Sequence, residues 1–323
     1  MPKNTKHFPL PRQKRTLLLL EWCAGFRPAG SIWVLLLALR GFSLVEIGAA
    51  EGVFHAVSLC GELPSGLLAD LLGRRRTLAA GQAMFLLSPL LLMCSESLTG
   101  VCLSMAVLAL GFNLQSGTRE AMAYETMLQA GQEDGYLKFS SLQNAVYRLS
   151  DGGAMLLAGA TMILGWRRAC LLDAAIALLG LAAALSLTEP VCPGREGPAA
   201  TPRALPAALR DTILGAWDLL RTDRTAVAIM LVNALIGACA TLTRFFLQER
   251  VEAAVTAPAL LGPALFALGL GGGLAGLITA PLDRLPYRKA AALAGTGTVL
   301  CALLSRGTLL PVLMASGLAA GML

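Results

Sequence analysis

Long apolar stretches separated by short polar breaks run along almost the whole chain. Those of spanning length cover about residues 16–39, 44–69, 76–94, 98–122, 141–164, 166–187, 225–247, 257–282, 289–304 and 309–323. A helix needs roughly 20 apolar residues to cross the hydrocarbon core of a bilayer, because each residue advances it by only about 1.5 Å. The pattern therefore predicts an all-α chain of ten membrane-spanning helices, the last two of them short. One polar connection is long: residues 189–224, rich in Pro and Gly, separate six spans from four. The expected organisation is a six-helix half over 1–188, a central loop over 189–224 and a second half over 225–323 with four helices present. Inside the loop, Leu209, Ile213, Trp217 and Leu220 recur at helical spacing, with Arg210, Asp211, Asp218 and Arg221 taken as the opposite face. That pattern suits a helix lying on the membrane surface and equally a plain amphipathic linker.

Composition removes the main alternative. Of 323 residues, 56% are hydrophobic and only 14% charged, whereas a water-soluble domain carries about 25% charged residues to cover its surface. The net charge of +6 would raise the question of nucleic acid, but its placement answers otherwise. With the N-terminus inside, 17 Lys and Arg fall in inside loops and 5 (Arg40, Arg167, Arg168, Arg250, Arg306) in outside ones. That bias obeys the positive-inside rule and makes the basic excess topological. The expected setting is a multi-pass protein of the cell (inner) membrane with a cytoplasmic N-terminus, the lipid bilayer its partner and no nucleic acid involved. The first apolar run contains Glu21 and Arg27 and is too long and too polar for a signal-peptide core, so it reads as a retained span.

Chemistry-bearing motifs are sparse. Eight cysteines occur without a CxxC, and the two histidines, His7 and His55, form no metal-ligand spacing. Gly271 to Gly276 spell GxGxxG in the middle of a span with no strand before them, which is helix packing, and no GK[ST] occurs. No cofactor, no metal and no enzymatic activity are expected.

The connection between the second and third spans is the most informative segment: Gly66-Leu67-Leu68-Ala69-Asp70-Leu71-Leu72-Gly73-Arg74-Arg75-Arg76. Asp70 ends a span, Gly73 permits a tight turn, and the arginines anchor to headgroups or pair with a carboxylate. The segment resembles the G-x-x-x-D-x-x-G-R-[RK] loop signature of the major facilitator superfamily. With Glu62-Leu63-Pro64-Ser65 before it, the segment is most similar to the E-x-P-[ST]-G-x-x-A-D members. The resemblance implies a bundle of two pseudo-symmetric six-helix halves, and a gate-locking role for Gly66, Asp70, Gly73, Arg74 and Arg75. A degenerate copy stands 213 residues on, Asp283-Arg284-Leu285-Pro286-Tyr287-Arg288-Lys289, which places a second gate at Asp283, Arg284 and Arg288. Two such halves would hold twelve spans, so the ten that are legible predict a sequence truncated after the tenth. The fourth span, Gly111 to Glu120, does not match the family's usual arginine motif, and the fifth lacks the Gly-Pro pair of the antiporter motif.

Charges within a bilayer cost about 2.5–3.5 kcal/mol each on insertion scales and should face the bundle interior. Their spacing agrees with this. Glu51, His55, Ser58 and Glu62 form one stripe of the second span, and Asn113, Gly117, Glu120 and Tyr124 one stripe of the fourth. Asn144, Arg148 and Asp151 do so in the fifth, and Asn233, Gly237 and Arg244 in the seventh. These stripes are candidate walls of a substrate path, with Arg27 or Arg244 meeting the substrate or a carboxylate, and Glu51, Glu62 or Asp151 carrying protons. The same spacing equally suits inter-helix pairing, of Arg148 with Asp151 or Arg119 with a carboxylate, and Glu62 could belong to the gate. The resemblance implies alternating-access transport of a small molecule, with the proton as coupling ion. Efflux by antiport is the expected direction, metabolite uptake by symport the alternative, and an inactive fragment or non-transporting membrane protein the reading from another class.

Overall fold

The computed structural model describes residues 9–190, 220–254 and 287–304, with single positions at 210, 214, 215, 217, 218, 263 and 266. All regular structure among the described residues is helical. In chain order the helices are α1 (Leu10–Gly25), α2 (Pro28–Ser31), α3 (Trp33–Leu39), α4 (Leu44–Leu72), α5 (Arg74–Cys94), α6 (Leu98–Gln115) and α7 (Thr118–Gln129). After a short 3₁₀ turn at Glu133–Gly135 follow α8 (Tyr136–Leu156), α9 (Ala158–Leu164), α10 (Trp166–Ser186), α11 (Arg224–Ala254) and α12 (Tyr287–Leu304).

The second, third, sixth, seventh and ninth predicted spans are each one helix; the first, fourth and fifth are interrupted. Hydropathy averages across such breaks, yet for two of them a cause stands in the sequence. Pro28 has no N–H to donate and disfavours the helical region for Arg27 before it, so the first span stops at Gly25 and restarts at Pro28. Gly117 adopts φ +69°, a left-handed conformation, and separates α6 from α7 within a 32-residue crossing. At its own start, α4 is fixed by a capping box: Ser43 Oγ accepts from Glu46 N–H at 3.3 Å, and Ser43 N–H donates to Glu46 Oε2 at 2.8 Å. The eighth and tenth predicted spans lie outside the described residues, apart from Pro263 and Phe266. By length and apolarity, four stretches among the described residues are able to cross a membrane: Leu44–Glu62, Arg74–Cys94, Leu98–Gln129 and Trp166–Ser186.

The helices sort into two compact units, one drawn from residues 1–30, 36–150 and 165–214, the other from 31–35, 151–164 and 215–323. In the first, α5 is central and packs along α6 and α10, α4 lies on α6, and α1 lies on α10 and α7. Small residues bring the backbones together. A Cβ added at Gly111 of α6 would sit 2.7 Å from the Phe85 ring of α5, a contact no larger residue could make. Leu17, Leu20, Leu78, Met122, Phe139 and Leu187 form the buried core. α10 divides the same way: Ala174, Ala177, Ala183 and Ala184 are buried in the bundle while Leu171, Leu172, Leu178, Leu179 and Leu185 face outward, as a helix bordered by lipid on one side requires.

In the second unit α11 packs on α12, and Gly152 of α8 faces the Phe266 ring. In the central loop the described positions 210, 214, 215, 217, 218 and 220–222 are helical, and Trp217 and Leu220 are exposed. Here one expectation is corrected. Arg221 is not opposite Trp217 but stacks its guanidinium 4.8 Å from that ring, because residues four apart share a helix face.

Candidate functional site

The first unit holds a polar cavity of about 150 Å³ between α1, α7 and α8. Its walls are Glu21, Arg119, Glu120, Ser140, Gln143, Asn144, Tyr147 and Arg148, four of them charged and none aliphatic. Residues 140, 143, 144, 147 and 148 follow i, i+3, i+4, i+7, i+8 spacing, which turns one face of α8 toward the cavity. At the wall, Arg119 Nη1 donates to Glu21 Oε2 at 2.7 Å, and Gln143 Nε2 donates to Glu21 Oε1 at 3.1 Å. Both members of the ion pair are buried, with side chains 15% and 8% exposed. Arg119 also lies 6.0 Å from the Tyr147 ring centroid, and its Nε is buried with no hydrogen-bond partner among the described residues. A buried pair of this kind is a poor source of stability but leaves a costly lone charge when one partner is neutralised.

A second cluster joins α4 to α6. Glu51 and His55 are in contact at 3.3 Å one turn apart. One turn further, Ser58 Oγ donates to Asn113 Oδ1 while Asn113 Nδ2 donates to the Ser58 carbonyl, each at 2.9 Å. Arg27, in the gap between α1 and α2, lies 5.4 and 5.3 Å from the ring centroids of Phe85 and Phe112 and is an electrostatic neighbour of Asp173. Asp173 is buried in α10 and accepts from the N–H groups of Ala29 and Gly30 at 3.0 and 2.9 Å. Arg27 thus meets a carboxylate, and the broken first span has its restarting N–H groups satisfied inside the bundle.

The third cluster is the α4–α5 turn. Gly73 adopts φ +90° and ψ 154°, a conformation essentially reserved for glycine. Arg74 Nη2 meets Asp70 Oδ1 at 2.9 Å, and Arg74 Nε meets Glu125 Oε1 of α7 at 3.3 Å. The Glu189 carboxylate seats on the first turn of α5, accepting from Arg74 N–H at 2.6 Å and Arg75 N–H at 2.7 Å, where the unpaired N–H groups and the helix dipole favour an anion. Arg75 Nη2 donates to the Leu185 carbonyl. A Cβ on Gly73 would lie 2.8 Å from Glu189 Oε1, so the glycine is required for the carboxylate's approach as well as for the turn. A Cβ on Gly66 would meet nothing within 4 Å.

The residues singled out from the sequence are thus distributed. Glu120 and Arg148 line the cavity. Glu51, His55 and Asn113 belong to the α4–α6 cluster, and Glu62 is exposed on α4. Asp151 is half-buried in α8 and Asn233 exposed on α11. Arg244 and Arg288 have their backbones in α11 and α12 with side chains outside the described set, and Asp283 and Arg284 lie outside the described residues. Reasoning from sequence did not single out Glu21, Gln143, Tyr147, Asp173, Glu125 or Glu189 as site residues. For Glu21 and Asp173 a signal existed, since each is a carboxylate inside an apolar run.

The model of the family described as Major Facilitator Superfamily matches residues 22–323. Among solved structures, a nucleoside transporter aligns with TM-score 0.74 at 18% identity over 97% of this chain and 79% of its own. A D-xylose-proton symporter aligns with TM-score 0.60 at 13% identity over 97% and 78%, and a peptide transporter with TM-score 0.62 at 18% over 96% and 79%. These likenesses establish the fold. A search of curated proteins finds no match by sequence.

Proposed function

Because this chain belongs to the major facilitator superfamily, we propose that it is a proton-coupled secondary transporter of a small polar solute, working by alternating access through the cavity between α1, α7 and α8. The observation that carries this reading is the buried Glu21–Arg119 pair in a wall with no aliphatic side chain. A proton arriving on Glu21 cancels its charge and releases Arg119, which then offers its donors to a solute oxygen. Loss of the proton re-forms the pair and expels the solute. Glu120 and Arg148 at the same wall offer one charge of each sign to the solute. Such walls suit a hydrophilic solute better than the amphipathic compound expected of an exporter, and therefore favour uptake by symport over efflux. The solved D-xylose-proton symporter supports the same direction.

The α4–α5 turn is the gate in this proposal. Asp70, Arg74 and Glu125 hold α4, α5 and α7 together while Glu189 ties in the end of α10, so the clasp stabilises one state of the inward-side gate. Gly66, Gly73 and Arg75 share that role, and Asp283, Arg284 and Arg288 are its proposed counterpart in the second half. Within the first unit, Glu51, His55 and Glu62 are assigned a secondary place, as groups that pass protons toward or away from the cavity, with Arg27 and Asn113 beside them; Asp151, Asn233 and Arg244 are proposed from their sequence spacing as polar positions of the second unit.

The decisive experiment uses the chain in proteoliposomes with an imposed pH gradient and a panel of radiolabelled sugars, nucleosides and amino acids. Gradient-driven accumulation of one of them is expected. Glu21→Gln should abolish accumulation while leaving solute exchange across the membrane measurable. Accumulation in Glu21→Gln equal to the unsubstituted chain would remove Glu21 from the coupling mechanism.

A further inference from the structure

A second cavity, of about 470 Å³, lies at the end of α4 remote from Asp70. It is walled by Arg40 and Phe42 from the α3–α4 turn, Glu46 at the start of α4, Glu96 between α5 and α6, and Trp166 and Arg167 opening α10. The Arg40 guanidinium stacks 4.0 Å from the Trp166 ring centroid and donates through Nη2 to the Ser95 carbonyl. Its Nη1 is buried with no hydrogen-bond partner among the described residues. Arg167 and Glu96 are 4.0 Å apart and 68% and 84% exposed, so each keeps most of its charge open to a third group. Exposed apolar side chains adjoin these residues along the chain: Leu39 before Arg40, Leu44 and Val45 before Glu46, and Leu171 and Leu172 one turn beyond Arg167. Arg40 and Arg167 are also two of the five basic residues on the side where the charge bias disfavours them.

We propose that this cavity binds the headgroup of a zwitterionic phospholipid carrying a phosphate and a primary ammonium. The guanidiniums of Arg40 and Arg167 hold the phosphate, Glu96 the ammonium, and the exposed leucines the first carbons of the acyl chains. Glu46 is occupied by its capping box and contributes negative potential, which disfavours a headgroup with no cation of its own. The arrangement is independent of what the protein transports; it rests only on the helices lying in a membrane.

The test is native mass spectrometry of the full chain in detergent, with short-chain phosphatidylethanolamine, phosphatidylglycerol or inorganic phosphate added. Phosphatidylethanolamine should be retained preferentially, and Arg167→Gln and Glu96→Gln should each weaken its retention about tenfold, the effect of losing one charge-assisted contact. Arg167→Lys, which preserves the charge, should retain more lipid than Arg167→Gln and controls for folding. Equal or stronger retention of phosphatidylglycerol, displacement of lipid by inorganic phosphate, or unchanged retention in both neutral variants would overturn the proposal. No transport is measured, so failure here leaves the transport reading untouched, and the reverse.

Discussion

Glu189→Gln isolates the contribution of one carboxylate to the α4–α5 turn. In the native arrangement both carboxylate oxygens are used, one by Arg74 N–H at 2.6 Å and one by Arg75 N–H at 2.7 Å. Glutamine retains a single acceptor and turns an NH₂ group toward the other N–H, so one donor of the first turn of α5 is opposed rather than satisfied. Removing the negative charge from a helix N-terminus costs about 0.3–1 kcal/mol, and a hydrogen bond to a charged group exceeds a neutral one by about 1 kcal/mol. The site is partly exposed and water can replace the lost acceptor, which leaves a net local loss of about 1–2 kcal/mol. A loss of that size raises the population of the open first turn by about 5–30-fold. Amide hydrogen exchange followed by mass spectrometry on peptides covering residues 74–77 reads this directly, because protection there reports the local opening free energy. Exchange faster by about that factor, confined to this turn, is the expected result. Protection unchanged within about twofold, well inside that range, would mean that Glu189 does not cap α5 and that the clasp does not extend to α10.

Two further substitutions follow from the same geometry. Gly73→Ala forces a side chain into a conformation costing about 1–3 kcal/mol and places a Cβ against Glu189, so it should lower the unfolding midpoint in detergent and reproduce the exchange signature of Glu189→Gln; a variant as stable and as protected as the native chain would refute the turn geometry. Arg119→Met leaves Glu21 buried without its cation and should destabilise by about 3–5 kcal/mol in chemical unfolding, while adding Glu21→Gln to it should recover much of that loss; additive effects of the two would refute the pairing.

The helices were largely legible in the sequence because a bilayer imposes length and apolarity on any span, and α4, α5 and α10 carry both. What hydropathy missed was continuity: the signals at Pro28 and Gly117 are single residues in long windows and act through backbone conformation, not polarity. The α4–α5 turn shows a similar division. Its local part, Asp70 to Arg75, is a contiguous motif, but its partners Glu125 and Glu189 lie 51 and 115 residues from Arg74 and had no spacing to announce them. The same holds for the cavity, where Glu21 and Arg119 are 98 residues apart. The stripe on α4 placed Glu51 and His55 on one face, and being one turn apart they touch. The stripe could not say that Ser58 would bind Asn113 on α6, because that depends on how α4 is rotated against its neighbour.

The contacts of Thr188 and Glu189 bear on how this chain should be taken apart. The Thr188 carbonyl accepts from Gln13 Nε2 at 2.8 Å and its N–H donates to Gln13 Oε1 at 3.1 Å, one residue before the carboxylate that closes the first turn of α5. Anyone expressing the halves as separate polypeptides, or inserting a tag or protease site, would be drawn to the change in polarity near residue 188. A cut there hands the cap of α5 to the wrong fragment. Cutting beyond Pro190 keeps both residues with the bundle whose turn they complete.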